Sequence, residues 1–281
     1  MRPKRKKYFS YNEIRTRHYK EKKTAVKKLG NTDLDNWLSS PYSSLKAIFY
    51  IELCVPLVFL LQYTNITPNF LTVNYIILGF IGGIFLSIDN QSFILAGIII
   101  FFSKTIVDWS DGLLARMKNK TSELGHILDC WGGIVGGYSF IVGLGVYLHN
   151  KYEDTNYLIF IILILLLKSL DIRNFSYIMN VDKLLNSKNK KKIISNKSGK
   201  DKKYNVSKTL LNLKLLFINL FDDRSRSVDF ICLLILIDTF YIEINLIKYI
   251  FYFITFKSFV LFFGSFYVVY FKDFLKNIKV T

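Results

Sequence analysis

Asp108, Asp111 and Asp129 are three carboxylates in a largely apolar chain, set where one apolar segment (residues 93 to 107) ends and the next (126 to 148) begins. Ionised side chains at a membrane edge are costly to desolvate and call for a counter-charge. Asp108 and Asp111 are three apart, which on a helix turns both to one face, and a reversal around Lys118 to Thr121 would bring Asp129 opposite them. Three convergent carboxylates suit a hard, oxygen-liganded cation. Mg2+ or Mn2+ would keep open positions for a substrate diphosphate, because these ions rarely sit in an all-protein cage.

The whole stretch reads Asp108-Trp-Ser-Asp111-Gly112-Leu-Leu-Ala115-Arg116, followed after eight residues by Gly125 and after three more by Asp129. This spacing resembles the signature of the CDP-alcohol phosphotransferases, D-x2-D-G-x2-A-R-x8-G-x3-D-x3-D, and matches it at seven of eight defined positions. At the eighth, where the family carries an aspartate that is its usual general base, this chain has Gly133. The resemblance implies a six-helix membrane transferase of phospholipid biosynthesis. In such an enzyme an acceptor alcohol attacks a CDP-linked donor and CMP leaves. Asp108, Asp111 and Asp129 would then hold the divalent metal.

Residues around this stretch divide between packing and chemistry. Thr67 before Pro68 is a helix start with a capping hydroxyl, and the similar T-P-N-x-x-T stretch of the family implies that Asn69 and Thr72 line the nucleotide pocket. Gly112, Ala115 and Gly125 are small enough for close helix contact or for a nucleotide to approach backbone, and Arg116 can pair with phosphate. Ser122 either caps the next helix or contacts substrate. Gly132, Gly133, Gly136 and Gly137 read first as a close-packing groove. Lys104, one turn before Asp108, is an intramembrane cation that either pairs with a carboxylate or binds an acceptor anion. Arg224 and Arg226, with Arg173, are orientation anchors or a cradle for an anionic acceptor. His126 shares a helix face with Asp129 and is a weak substitute for the missing base.

A 51% hydrophobic composition, 16% aromatic residues and a mean hydropathy of +0.28 over 281 residues imply an all-α, polytopic membrane protein. Apolar runs near the ~20 residues a bilayer requires lie at about 70 to 88, 93 to 112, 126 to 148, 156 to 172, 228 to 242 and 246 to 271. A further run, 45 to 64, carries Lys46, Glu52 and Pro56. Residues 1 to 30 hold twelve Lys/Arg against two Glu, and residues 183 to 214 eleven Lys against one Asp, within a net charge of +17. Such clusters favour the cytoplasm, as do lesser ones at Arg116 to Lys120 and Lys272 to Lys279, so an even number of spans must separate any two.

The expected organisation follows from that count. Residues 1 to 40 are a basic cytoplasmic tail, 41 to 65 an interfacial amphipathic helix, and 66 to 281 a six-helix domain with a basic loop at about 174 to 226. Both termini and the active site face the cytoplasm. Residues 1 to 30 lack an apolar core, so the first true span is expected to serve for insertion. Both basic segments read as mobile and attracted to anionic head groups rather than to nucleic acid. The stretch Asn186 to Asn205 reads as disordered. Cys54, Cys130 and Cys232 are isolated in apolar surroundings and read as buried small hydrophobes. Small-residue helix faces make a homodimer an expected partner, beside donor, acceptor and bilayer. Two other classes compete with the enzyme: a catalytically degenerate relative that binds CDP-lipid or a partner enzyme, motivated by Gly133, and an ion transporter, which would spread acidic groups over several spans.

Overall fold

A computed structural model describes residues 8–30, 41–170, 225–242 and 245–271, and every regular element among them is helical. In chain order these are α1 (Tyr11–Gly30), α2 (Pro41–Leu61), α3 (Pro68–Leu86), α4 (Gln91–Met117), α5 (Glu123–Tyr152), α6 (Asn156–Ser169), α7 (Ser225–Phe240) and α8 (Leu246–Phe271). By length and composition α2, α3, α4, α5 and α8 are long and apolar enough to cross a membrane, while α6 is a shorter apolar helix. The chain is a polytopic all-α membrane protein. The expectations for Arg173, Arg224, most of the basic loop and Lys272 to Lys279 fall outside the described residues, as does the side chain of Arg226.

Local chemistry sets the helix boundaries that matter for the site. Thr67 caps α3 by accepting from the Phe70 N–H at 3.3 Å, with Pro68 in the first turn. Ser122 caps α5 by accepting from the Gly125 N–H at 3.0 Å. Between α4 and α5 the chain reverses through Asn119, whose φ of 51° is left-handed, a conformation asparagine tolerates better than most residues. The Lys118 ammonium at this corner donates to the carbonyls of Leu61, Thr64 and Ile66 at 3.0–3.1 Å. Those bonds tie the α2–α3 link to the end of α4.

Glycines let α3 lie against α4 and α5. A side chain at Gly83 would overlap the Ser139 backbone, and one at Gly143 would come within 2.7 Å of the Gly83 carbonyl. The main core gathers Phe101, Phe140, Ile141, Leu144, Ile164, Ile231, Phe251 and Ile254 from α4 to α8. A second cluster joins Ile14 of α1 and Ile51, Val55 and Val58 of α2 to Leu113, Leu114 and Met117 of α4. Lys46 of α2 pairs with Asp229 of α7 at 2.6 Å, and Lys151 of α5 pairs with Asp238 of α7 at 2.6 Å.

Within the expected N-terminal tail, residues 11–30 are helix. Ser10 and Glu13 form a reciprocal cap: the Ser10 N–H donates to Glu13 Oε2 at 2.8 Å and the Glu13 N–H to Ser10 Oγ at 3.3 Å. Ile14 and His18, one turn apart, are buried on the same face. This helix runs antiparallel to α2. Phe9 and Gln62 exchange backbone-to-side-chain bonds at 2.9 and 3.0 Å, Tyr11 meets Phe59 edge-on, and Arg15 and Tyr19 both hold Glu52.

Candidate functional site

The last turns of α4 and the first turns of α5 carry the three aspartates, and α3 supplies the groups that hold two of them. Thr72 Oγ1 donates to Asp111 Oδ2 at 2.6 Å, and both residues are buried. Tyr75, one turn further along α3, donates its hydroxyl to the Asp129 carbonyl at 2.6 Å and to Asp129 Oδ1 at 3.0 Å. Asp108, Asp111 and Asp129 are near enough for each carboxylate to feel the charge of the others. Like charges held this close need a cation to offset them. An all-carboxylate donor set fits a hard divalent ion, although among the described residues no three acidic, histidine or cysteine side chains are drawn into a ready ligand cluster.

The remaining sequence candidates distribute around that core. Asn69 reaches the start of α5, where a side chain in place of the Gly125 hydrogen would lie 3.0 Å from its Oδ1. Ser122 is exposed and its hydroxyl is occupied as the α5 cap. The Arg116 guanidinium folds back over Gly112, whose missing side chain leaves it room at 3.1 Å. Ala115 is half-buried, and its carbonyl accepts from the Lys120 N–H at 2.8 Å. His126 is exposed at the first turn of α5.

Lys104 lies under this group. It is 7% exposed, its stem runs in a slot between Gly79 of α3 and Gly136 of α5, and its ammonium stands 4.9 Å from the Tyr75 ring centroid. A side chain at Gly136 would lie 2.5 Å from the lysine stem, and one at Gly132 would overlap the Tyr75 ring. The packing expected of the glycine groove holds for those two positions. It fails for Gly133, where an added Cβ meets nothing within 4 Å.

Three residues of α1 join the site without having been singled out from the sequence. Glu21 pairs with Arg116 Nε at 2.8 Å, Lys22 stands 3.3 Å from the Trp109 ring centroid, and His18 meets the same indole edge-on at 6.1 Å. Burial pulls the Lys22 ammonium down to about 8 against the opposing pull of Asp108. Burial, with Lys22 and Arg116 adding to it, lowers His18 to about 3. The usable signal was the Ser10-x-x-Glu13 cap followed by Ile14 and His18 at helical spacing.

A family model described as CDP-alcohol phosphatidyltransferase matches residues 65–240, more than half of the chain. The chain belongs to the CDP-alcohol phosphatidyltransferase family. No curated protein matches it. Members of the CDP-alcohol phosphatidyltransferase family are phosphotransferases of phospholipid synthesis that use CDP-linked donors and alcohol acceptors and generally depend on divalent metal. The matched span begins just before the cap of α3 and ends with α7, so α1 and α2 lie outside it.

Proposed function

We propose that this chain transfers a substituted phosphate from a CDP-linked donor to an acceptor alcohol at the cytoplasmic face of a membrane. The observation that supports this reading is that two neighbouring residues of α3, Thr72 and Tyr75, hold Asp111 of α4 and Asp129 of α5. Asp108, Asp111 and Asp129 would hold Mg2+ or Mn2+, which when bound offsets the charge of the diphosphate and of the leaving phosphate. Asn69 and the small residues Gly112, Ala115 and Gly125 line the nucleotide, with Arg116 and Ser122 at its phosphate side.

In this reaction the acceptor oxygen forms a bond to the β-phosphorus, the bond from that phosphorus to the bridging oxygen breaks, and CMP leaves with the electron pair. The hydroxyl proton must also leave. With no carboxylate at Gly133, that proton would pass to solvent. A positioned base contributes about 10²- to 10⁴-fold, so its loss slows such a site without abolishing it. Gly133 also favours a second reading, a relative that binds CDP-lipid without turning it over. Release of CMP from CDP-diacylglycerol, and separately from CDP-choline, by the purified chain with Mg2+ and a panel of acceptor alcohols separates the two. Binding of CDP without CMP release from any pair supports the second.

The packing of α1 along α2 supports a particular membrane arrangement. Arg15, Arg17, Lys20, Glu21, Lys22 and Lys23 belong at the aqueous surface, because each charge taken to the bilayer centre costs about 2.5 kcal/mol or more. The helix paired with them therefore lies at the interface, despite being long enough to span. Leu45, Ile48, Phe49, Leu53 and Leu60 of α2 are exposed and form its lipid-facing side. Six spans then follow, with both termini cytoplasmic.

A further inference from the structure

We propose that Lys22 of α1 binds a phosphate of a diphosphate ligand together with Arg116, and that Glu21 occupies that arginine until the ligand takes its place. Only the identity of the anion rests on the donor-binding reading above. The claim adds a helix outside the family-matched span to the ligand site.

Four side chains of one α1 face, Arg17, His18, Glu21 and Lys22, lie on the end of α4, which carries Asp108 and Asp111. Arg17 holds Glu21 at 3.0 Å and donates to the Arg116 carbonyl at 3.5 Å, Glu21 holds Arg116 at 2.8 Å, and Lys22 sits over Trp109, the residue after Asp108. Arg17 and Arg116 thus share a single carboxylate, while Lys22 covers the ring next to Asp108. Glu21 bridges Arg17 and Arg116 with its two oxygens, the geometry a phosphate would adopt between the same two guanidinium groups. Arg116 and Glu21 are both partly exposed, which leaves this pair weak enough to exchange for a more highly charged anion. His18 fixes the register. Its ring is fully buried and neither ring nitrogen has a hydrogen-bond partner, so it contributes packing against Trp109, the ring that Lys22 also covers. A diphosphate bridging the aspartate site would extend into this cationic corner.

The test uses the full chain in phosphatidylcholine nanodiscs at fixed Mg2+, with CDP and inorganic pyrophosphate as probes and calorimetry as the readout. Lys22→Met should weaken both probes about tenfold, the loss expected for one charge-assisted contact. Lys22→Arg should stay within about threefold of the unmodified chain, and Glu21→Gln should tighten both probes by removing the competing carboxylate. A purely structural α1 gives the opposite sign for Glu21→Gln, because losing the tie to Arg116 would loosen the helix and weaken binding. If Lys22→Met fails to fold, Glu21→Gln decides: tighter binding supports the proposal, and unchanged or weaker binding overturns it.

The outcomes also separate this inference from the donor-binding reading. CDP binding that is indifferent to Lys22→Met overturns the inference and leaves that reading standing. Pyrophosphate binding that depends on Lys22, without CDP binding, does the reverse. Absence of both overturns both. Lys22→Met that lowers attachment to phosphatidylserine vesicles while sparing CDP affinity assigns the lysine to the lipid surface and overturns the proposal.

Discussion

The Tyr75 hydroxyl donates to both the backbone carbonyl and Oδ1 of Asp129, at 2.6 and 3.0 Å, so a residue of α3 fixes the carboxylate that α5 contributes. Tyr75→Phe keeps the ring that fills the space beside Gly132 and removes only these bonds. A lost hydrogen bond of about 1 kcal/mol corresponds to a roughly fivefold weaker apparent affinity for Mn2+ in CDP binding. The check is a Mn2+ titration at fixed CDP, with retained helical content as the control for folding.

Asp108→Asn and Asp129→Asn each remove a charge from the three-carboxylate group while preserving shape. Divalent-ion-dependent CDP binding should be lost in both. An unchanged Mg2+ dependence in equilibrium dialysis with either variant would remove that aspartate from the site.

Gly133→Asp should fold, because an added Cβ there meets nothing within 4 Å. It restores a carboxylate one helical turn from Asp129. If the site turns over slowly for want of a base, turnover rises tenfold or more at neutral pH with little change in CDP affinity. A folded, CDP-binding variant that stays inactive with every acceptor points to the non-catalytic reading. Gly132→Ala is the contrast: its methyl would overlap Tyr75, so it should lower stability by about 1–3 kcal/mol and loosen Asp129.

Topology is tested by membrane-impermeant labelling of single cysteines introduced at residues 35 and 195. Both should react only from the cytoplasmic side. Opposite labelling of the two would mean that α2 crosses the membrane, moving α1 to the far side.

Acid should release α1. A buried, neutral His18 takes up a proton at about 3, whereas in an exposed helix it does so at its ordinary 6.5, so the open state binds more protons between these values. His18's share of the docking stability is fully present above pH 6.5 and falls as pH drops toward 3, by up to about 1.4 kcal/mol per pH unit. Amide-exchange protection of residues 11–23 should therefore fall about fivefold more between pH 6.5 and 5.5 than intrinsic rates explain. His18→Phe should lose this dependence, and the same acid sensitivity in that variant would exclude His18 as its source.

Much was legible in the sequence because it is local. The spacing from Asp108 to Asp129 carries the family, the apolar runs carry the membrane class, and Thr67, Pro68 and Ser122 mark the starts of α3 and α5 through bonds made within one turn. Tertiary packing decided what depends on partners distant in sequence. Tyr75 looks like any membrane aromatic until α5 lays Asp129 against its hydroxyl, 54 residues away. Gly132 and Gly133 are adjacent and chemically identical, yet one faces Tyr75 and the other open space, because a helix turns about 100° per residue. Charge density in residues 1 to 30 suggested a solvated tail, while Ile14 and His18 found a buried face on Trp109 and α2, where the apolar contact offsets the cost of ordering the helix. Periodicity reveals which faces a helix has, and only the assembled bundle assigns each face its neighbour.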